Sequence, residues 1–184
     1  IGTPNFYIHT RLVNDDDAPV GPGERGELLL RGATVTPGYW RNAEATRKAF
    51  TQDGWYRTGD ILIRDEEGYL FVVDRKKNMF ISGGENVYPA EVERILLQHE
   101  SVKEAVVVPY AHASWGEAGC AFIVARNTAE ADAEALTNHC KNHLAKFKVP
   151  RIYQWVEELP KNDSGKVSRL RLQEMARKLQ SDDA

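Results

Sequence analysis

Three short stretches carry side chains suited to handling a phosphoester: Thr58-Gly59-Asp60, Asp74-Arg75-Lys76-Lys77 and Ser164-Gly165-Lys166. A carboxylate such as Asp60, held at a strand start, can accept hydrogen bonds from both hydroxyls of a ribose, and the adjacent glycine lets a ligand approach the backbone. The same tripeptide is also an ordinary turn, in which the aspartate serves nearby backbone N–H groups. Lys166 ends the loop Leu159-Pro160-Lys161-Asn162-Asp163-Ser164-Gly165-Lys166, just before a helix expected near Val167. A lysine there can bring a point charge to a phosphate or carboxylate oxygen; the plain alternative is an exposed loop lysine. The G-x-x-x-x-G-K-[ST] spacing of a Walker loop is absent. For the basic run at Arg75 to Lys77 the ordinary explanation is a solvated face.

Other candidates carry less. His139 and His143 lie four apart on a predicted helix, the spacing of two metal ligands on one face, but a third ligand and a general-base carboxylate are missing, so no metal site is assigned. Asp15-Asp16-Asp17 points three carboxylates in different directions and reads as a solvated turn. Cys120 and Cys140 lack metal or redox spacing and read as buried thiols without a disulfide.

The elements that must position these residues change character at Asp74. Before it, Phe6 to Val13 alternates, Asn14 to Asp17 supplies turn chemistry, and Gly26 to Leu30 reads as a returning strand. Asn42 caps a short helix over Ala43 to Phe50. Ile61 to Arg64 and Tyr69 to Asp74 surround Asp65-Glu66-Glu67-Gly68, a hairpin signal that can bring Asp60 and Arg75 to the same end. After it, Ser82-Gly83-Gly84 offers a turn, Pro89 opens a helix, and Val102 to Val108 and Ala118 to Ala125 read as buried strands. A helix from about Glu130 to Ala145, a strand over Ile152 to Val156 and a basic amphipathic helix over Ser168 to Leu179 complete an α+β domain.

With 184 residues, 42% of them hydrophobic, the chain can bury a real core. A net charge of -3 makes no case for nucleic-acid binding. No apolar run reaches the length of a membrane helix and no secretory signal opens the chain, so a reducing cytoplasm is the expected setting. The start at Ile1-Gly2-Thr3-Pro4, without an initiator methionine, suggests a piece of a longer protein.

Taken in order, TGD, the hairpin, DRKK, Ile81-Ser82-Gly83-Gly84-Glu85-Asn86-Val87-Tyr88-Pro89 and Pro160 to Lys166 give the chain its likeness. It resembles the C-terminal part of the adenylate-forming enzymes: acyl-CoA synthetases, peptide-synthetase adenylation domains and firefly-type luciferases. Gly54 to Lys77, with Ile81 to Glu93, is most similar to the fatty-acid and aryl-acid CoA ligases, and the resemblance covers essentially the whole chain. It implies an incomplete β-rich subdomain of a large N-terminal domain at 1–74, a hinge at 75–77 and a small mobile α+β C-terminal domain at 78–184. In that family a carboxylic acid attacks the α-phosphate of ATP to give an acyl-adenylate and pyrophosphate, and a thiol, that of coenzyme A in the CoA ligases, then displaces AMP. By the resemblance, Asp60 holds the ribose hydroxyls, Arg75 supports the nucleotide, Lys77 is the hinge and Lys166 bridges the acyl carboxylate and α-phosphate oxygens. Gly83 and Gly84 line the pantetheine tunnel.

Magnesium is implied with ATP. Its ligands, the phosphate loop and the acyl pocket belong to the rest of the large domain, so the isolated chain is expected to be inactive. Ala111-His112-Ala113-Ser114 stands where the family often has an acidic residue before Trp115-Gly116-Glu117, and that segment receives no role. Two alternatives stay open: an adenylation domain that loads a carrier-protein thiol, and a noncatalytic nucleotide-binding module.

Overall fold

Alternating apolar residues at the start of the chain build an antiparallel sheet in which β1 (Ile8–Val13), β2 (Arg25–Gly32), β3 (Tyr56–Arg64) and β4 (Leu70–Arg75) pair in that order. In a computed structural model that describes residues 2–127 and 132–182, this sheet belongs to the first of two units, Ile1–Lys77 and Asn78–Ala184. Because side chains alternate across a strand, neighbouring residues feed two small cores. Leu12, Leu28, Leu62 and Leu70 fill one, and Val13, Leu29 and Trp55 fill the other. The guanidinium groups of Arg11 and Arg31 lie 4.4 and 4.6 Å from the Trp55 ring centroid. Helix α1 (Ala43–Ala49) starts where expected, because Asn42 Oδ1 accepts from the N–H of Ala45 at 2.9 Å. Strand β1 begins later than the alternation predicts; Phe6 and Tyr7 stay exposed in the turn before it.

In the second unit, β5 (Phe80–Ser82), β6 (Glu85–Val87), β7 (Val102–His112) and β8 (Gly116–Ala125) form a sheet of order β6-β5-β8-β7, and β9 (Ile152–Trp155) joins β8 in parallel. Helices α2 (Pro89–Leu96) and α3 (Ala133–His143) cover one face, where Val92, Leu96, Leu136 and Cys140 meet Val107, Ala121 and Ile123. Helix α4 (Arg169–Asp182) covers the other, where Leu172 and Ala176 meet Val108, Cys120 and Phe122. From Ala118 to Ala125 strand β8 is therefore an unbroken run of apolar and small residues, as a strand covered on both faces must be. Each fully buried large side chain of this core contributes roughly 1.5–3 kcal/mol.

The α+β reading holds, with shifted boundaries. Strand β7 runs past Val108 through Pro109, which an edge strand tolerates because the missing N–H has no ladder partner to lose. Helix α3 ends at His143, with Leu144 already extended, two residues short of the expected Ala145; the expected start at Glu130 lies outside the described residues. Helix α4 begins at Arg169 rather than near Val167. No helix among the described residues is long and apolar enough to cross a membrane.

Candidate functional site

Thr58-Gly59-Asp60 does not start a strand. It lies inside β3 as a bulge, because Glu27 faces Ile61 and Leu29 faces Arg57, which leaves the three residues opposite Leu28 alone. Gly59 takes a φ of +72°, which glycine adopts without the Cβ penalty. The Thr58 hydroxyl donates to the Leu28 carbonyl at 2.8 Å and accepts from the N–H of Asp60 at 3.1 Å. The bulge brings Asp60 opposite Arg75 in the β3–β4 ladder, and Arg75 Nε lies 3.1 Å from Asp60 Oδ1. Beside this pair Thr58, Gly59, Arg75, Lys76 and Lys77 line an open cavity of about 350 Å³.

The Asp15 to Asp17 turn is more than a solvated one. Lys76 Nζ pairs with Asp15 at 2.9 Å and with Glu27 at 3.2 Å, and Glu27 is 5% exposed. Arg57 reaches Glu27 at 3.2 Å and both Asp17 oxygens at 2.6 Å. The Asp15 hydrogen bond, reinforced by Glu27, holds the Lys76 ammonium above its ordinary pKa, and Asp17 does the same for Arg57. These partners are far apart in sequence, so no local pattern could have revealed that Glu27 joins Arg57 and Lys76.

In the second unit Gly83 and Gly84 form the tight turn between β5 and β6, with φ of +60° and +86°, the pair of positive angles a two-residue hairpin of type I′ requires. They differ in surroundings. A Cβ on Gly83 would lie 2.7 Å from Trp115 Cε3, whereas one on Gly84 would meet nothing within 4 Å. The N–H of Gly83 donates to the Trp115 carbonyl at 2.9 Å, and the N–H of Ile81 to Glu117 Oε2 at 3.1 Å. The Trp115-Gly116-Glu117 segment thus braces the glycine turn. Arg151 stacks over the Trp115 ring at 4.9 Å.

Lys166 stands on a separate loop organised by Asn162. Asn162 Oδ1 accepts from the N–H groups of Ser164 at 3.1 Å and Lys166 at 3.0 Å and from the Ser164 hydroxyl at 2.8 Å. Gly165, with φ of +77°, closes the turn onto the Asn162 carbonyl at 2.9 Å. The N–H of Ser168 reaches the Pro160 carbonyl at 2.8 Å. The Lys166 side chain is exposed and has no ion-pair partner among the described residues.

The first unit therefore brings Asp60 and Arg75 together beside Lys77, while the second carries Gly83 and Gly84 on one turn and Lys166 on another. His139 and His143 use ring nitrogens on backbone carbonyls, His139 Nε2 donating to Ile95 and His143 Nδ1 to His139, each at 2.9 Å. Among the described residues no group of three or more His, Cys, Asp or Glu is placed to hold a metal. Cys120 and Cys140 are free and buried; burial pushes the Cys120 thiol up to about 12 and the Cys140 thiol upward as well.

Residues 91–166 match the AMP-binding enzyme C-terminal domain. The chain is 44% identical over 177 residues to a long-chain-fatty-acid–CoA ligase of Salmonella typhimurium, covering 96% of this chain and 31% of the relative. It superposes with a TM-score of 0.84 on o-succinylbenzoate CoA synthetase from Bacillus subtilis in complex with its acyl-adenylate intermediate, at 38% identity over 92% of this chain and 34% of that one. With ATP-bound MatB from Rhodopseudomonas palustris the TM-score is 0.91, at 32% identity over 97% of this chain and 36% of that one. The chain thus spans about a third of the length of these relatives.

Proposed function

We propose the following role for a chain that belongs, through the C-terminal domain at residues 91–166, to the AMP-binding enzymes. Within a longer protein it serves an ATP-dependent acid–CoA ligase, of the kind that acts on fatty or aryl acids. A carboxylate oxygen attacks the α-phosphorus of ATP, the bond to pyrophosphate breaks, and the acyl-adenylate remains. The CoA thiol, losing its proton, then attacks the acyl carbon and expels AMP. One observation carries the reading furthest: Asp60 and Arg75 meet at 3.1 Å beside a cavity edged by Gly59, Lys76 and Lys77.

In this reading Asp60 accepts from the ribose hydroxyls and Arg75 lies against the same nucleotide. Arg75 neutralises Asp60 until the ligand arrives. Lys77 is the hinge between the β-rich part at 1–74 and the small domain at 78–184. Lys166, whose exposed side chain has no ion-pair partner among the described residues, supplies positive charge to the carboxylate and α-phosphate oxygens as negative charge gathers there. Gly84, whose Cβ position is open, lets the pantetheine arm approach the backbone, and Gly83 holds the turn that presents it. Magnesium accompanies ATP, and the described residues offer it no cluster of ligands, so no step is assigned to it here. Free thiols at Cys120 and Cys140 support a cytoplasmic setting.

The test uses the full-length protein and a panel of carboxylic acids, with ATP- and CoA-dependent AMP release as the readout. Lys166→Ala is expected to lower acyl-adenylate formation about a hundredfold, or about 3 kcal/mol, the usual loss for one such donor. Thioester formation from preformed adenylate should survive. Equal loss of both half-reactions would overturn the role of Lys166, and release that demands a carrier-protein thiol in place of CoA would overturn the acceptor.

A further inference from the structure

Strand β7 has β8 on one side and no strand on the other among the described residues, so the outward N–H and C=O groups of its middle need other partners. At Val107 a side-chain pair provides both. The N–H of Val107 donates to Glu93 Oε1 at 2.8 Å, and its carbonyl accepts from Arg169 Nη1 at 2.8 Å. Arg169 Nη2 closes the ring on Glu93 at 2.8 and 3.1 Å. Glu93 stands on α2 and Arg169 is the first residue of α4. Three elements are joined by one planar fork, which holds a guanidinium in a single orientation.

Arg169 follows Lys166 by three residues, and the backbone between them has little freedom. Lys161 bridges Val167, Ser168 is bonded to Pro160, and Asn162 grips the Lys166 N–H. The neighbouring anchors, Leu159 and Leu172, are buried and apolar. They secure depth but no direction, since apolar packing is non-directional. From this geometry we infer that Glu93 and Arg169 are positioning residues for Lys166, fixing the direction in which the loop presents its amine.

The inference rests on the reading of Lys166 as the adenylation lysine. In the full-length protein Arg169→Met and Glu93→Gln are assayed separately for acyl-adenylate formation and for thioester formation from preformed adenylate, beside Lys166→Ala. A misdirected charge costs up to about a hundredfold when the displacement reaches about 1 Å. Arg169→Met is therefore expected to lower adenylation by about tenfold to a hundredfold while leaving the second half-reaction within about threefold, with Glu93→Gln following the same pattern and Arg169→Lys restoring part of the loss. Equal loss in both half-reactions would make the pair merely structural and overturn the inference. Unchanged adenylation in Arg169→Met and Glu93→Gln, with Lys166→Ala inactive, would overturn the positioning role and spare Lys166. Intact adenylation in Lys166→Ala would remove the reading beneath it as well.

Discussion

At Cys120 burial decides chemistry that residue type leaves open. A thiol with an ordinary pKa of 9.0 is moved to about 12 by desolvation, which disfavours the charged thiolate. The native protein is expected to leave Cys120 unlabelled by iodoacetamide at pH 8, whereas the chain in urea is alkylated; mass spectrometry of the two samples reads the difference. The pH dependence of stability follows with a definite sign. Below pH 9.0 the thiol is neutral in both states and its contribution is intact. Between pH 9.0 and about 12 the unfolded chain releases a proton that the folded chain keeps, so stability falls as pH rises. Asp60 shows the complementary case: its type could have served a turn or a ligand, and its position opposite Arg75 is the geometry on which the proposed ribose contact rests.

At the level of the element, the β5–β6 turn separates two glycines that look alike on paper. Gly84→Ala places an L-residue in a left-handed conformation with open space around it, an expected cost of about 1–2 kcal/mol. Gly83→Ala carries the same strain and also drives a methyl into the Trp115 ring, adding about 1–3 kcal/mol of overpacking. Urea unfolding of the two variants should therefore rank Gly83→Ala as the more destabilised, and equal midpoints would show that Trp115 moves aside freely. The hairpin, Asn42 cap and Pro89 start were legible because each depends on a few adjacent residues. The bulge at Thr58 to Asp60 was not, since it is a mismatch in length between β2 and β3 that neither strand displays alone. The extension of β7 through Pro109 was hidden for a similar reason: tolerance of proline depends on which side of the strand is unpaired.

For the whole molecule, the proposed hinge gives the clearest prediction. Lys76 is held to the first unit by Asp15 and Glu27, while Lys77, next in the chain, is exposed. Proline at Lys77 fixes its φ and restricts Lys76 before it. In the full-length protein Lys77→Pro is expected to keep ATP–pyrophosphate exchange and to lose overall thioester formation by at least about tenfold, a change of about 1.4 kcal/mol in the barrier. Unchanged thioester formation would remove the hinge from Lys77. The family, the α+β class and the order of the motifs were present in the linear sequence, because motif spacing, capping residues and apolar periodicity are properties of neighbours along the chain. The meeting of Asp60 and Arg75 at one end of a hairpin was legible there too, but the network of Asp15, Asp17, Glu27, Arg57 and Lys76 and the Glu93–Arg169 fork on Val107 were decided only by tertiary structure. Each joins charged or polar groups from elements remote in sequence, and a charge has no periodicity that announces its partner. Register and packing bring those groups within 3 Å or so, and at that range their chemistry begins.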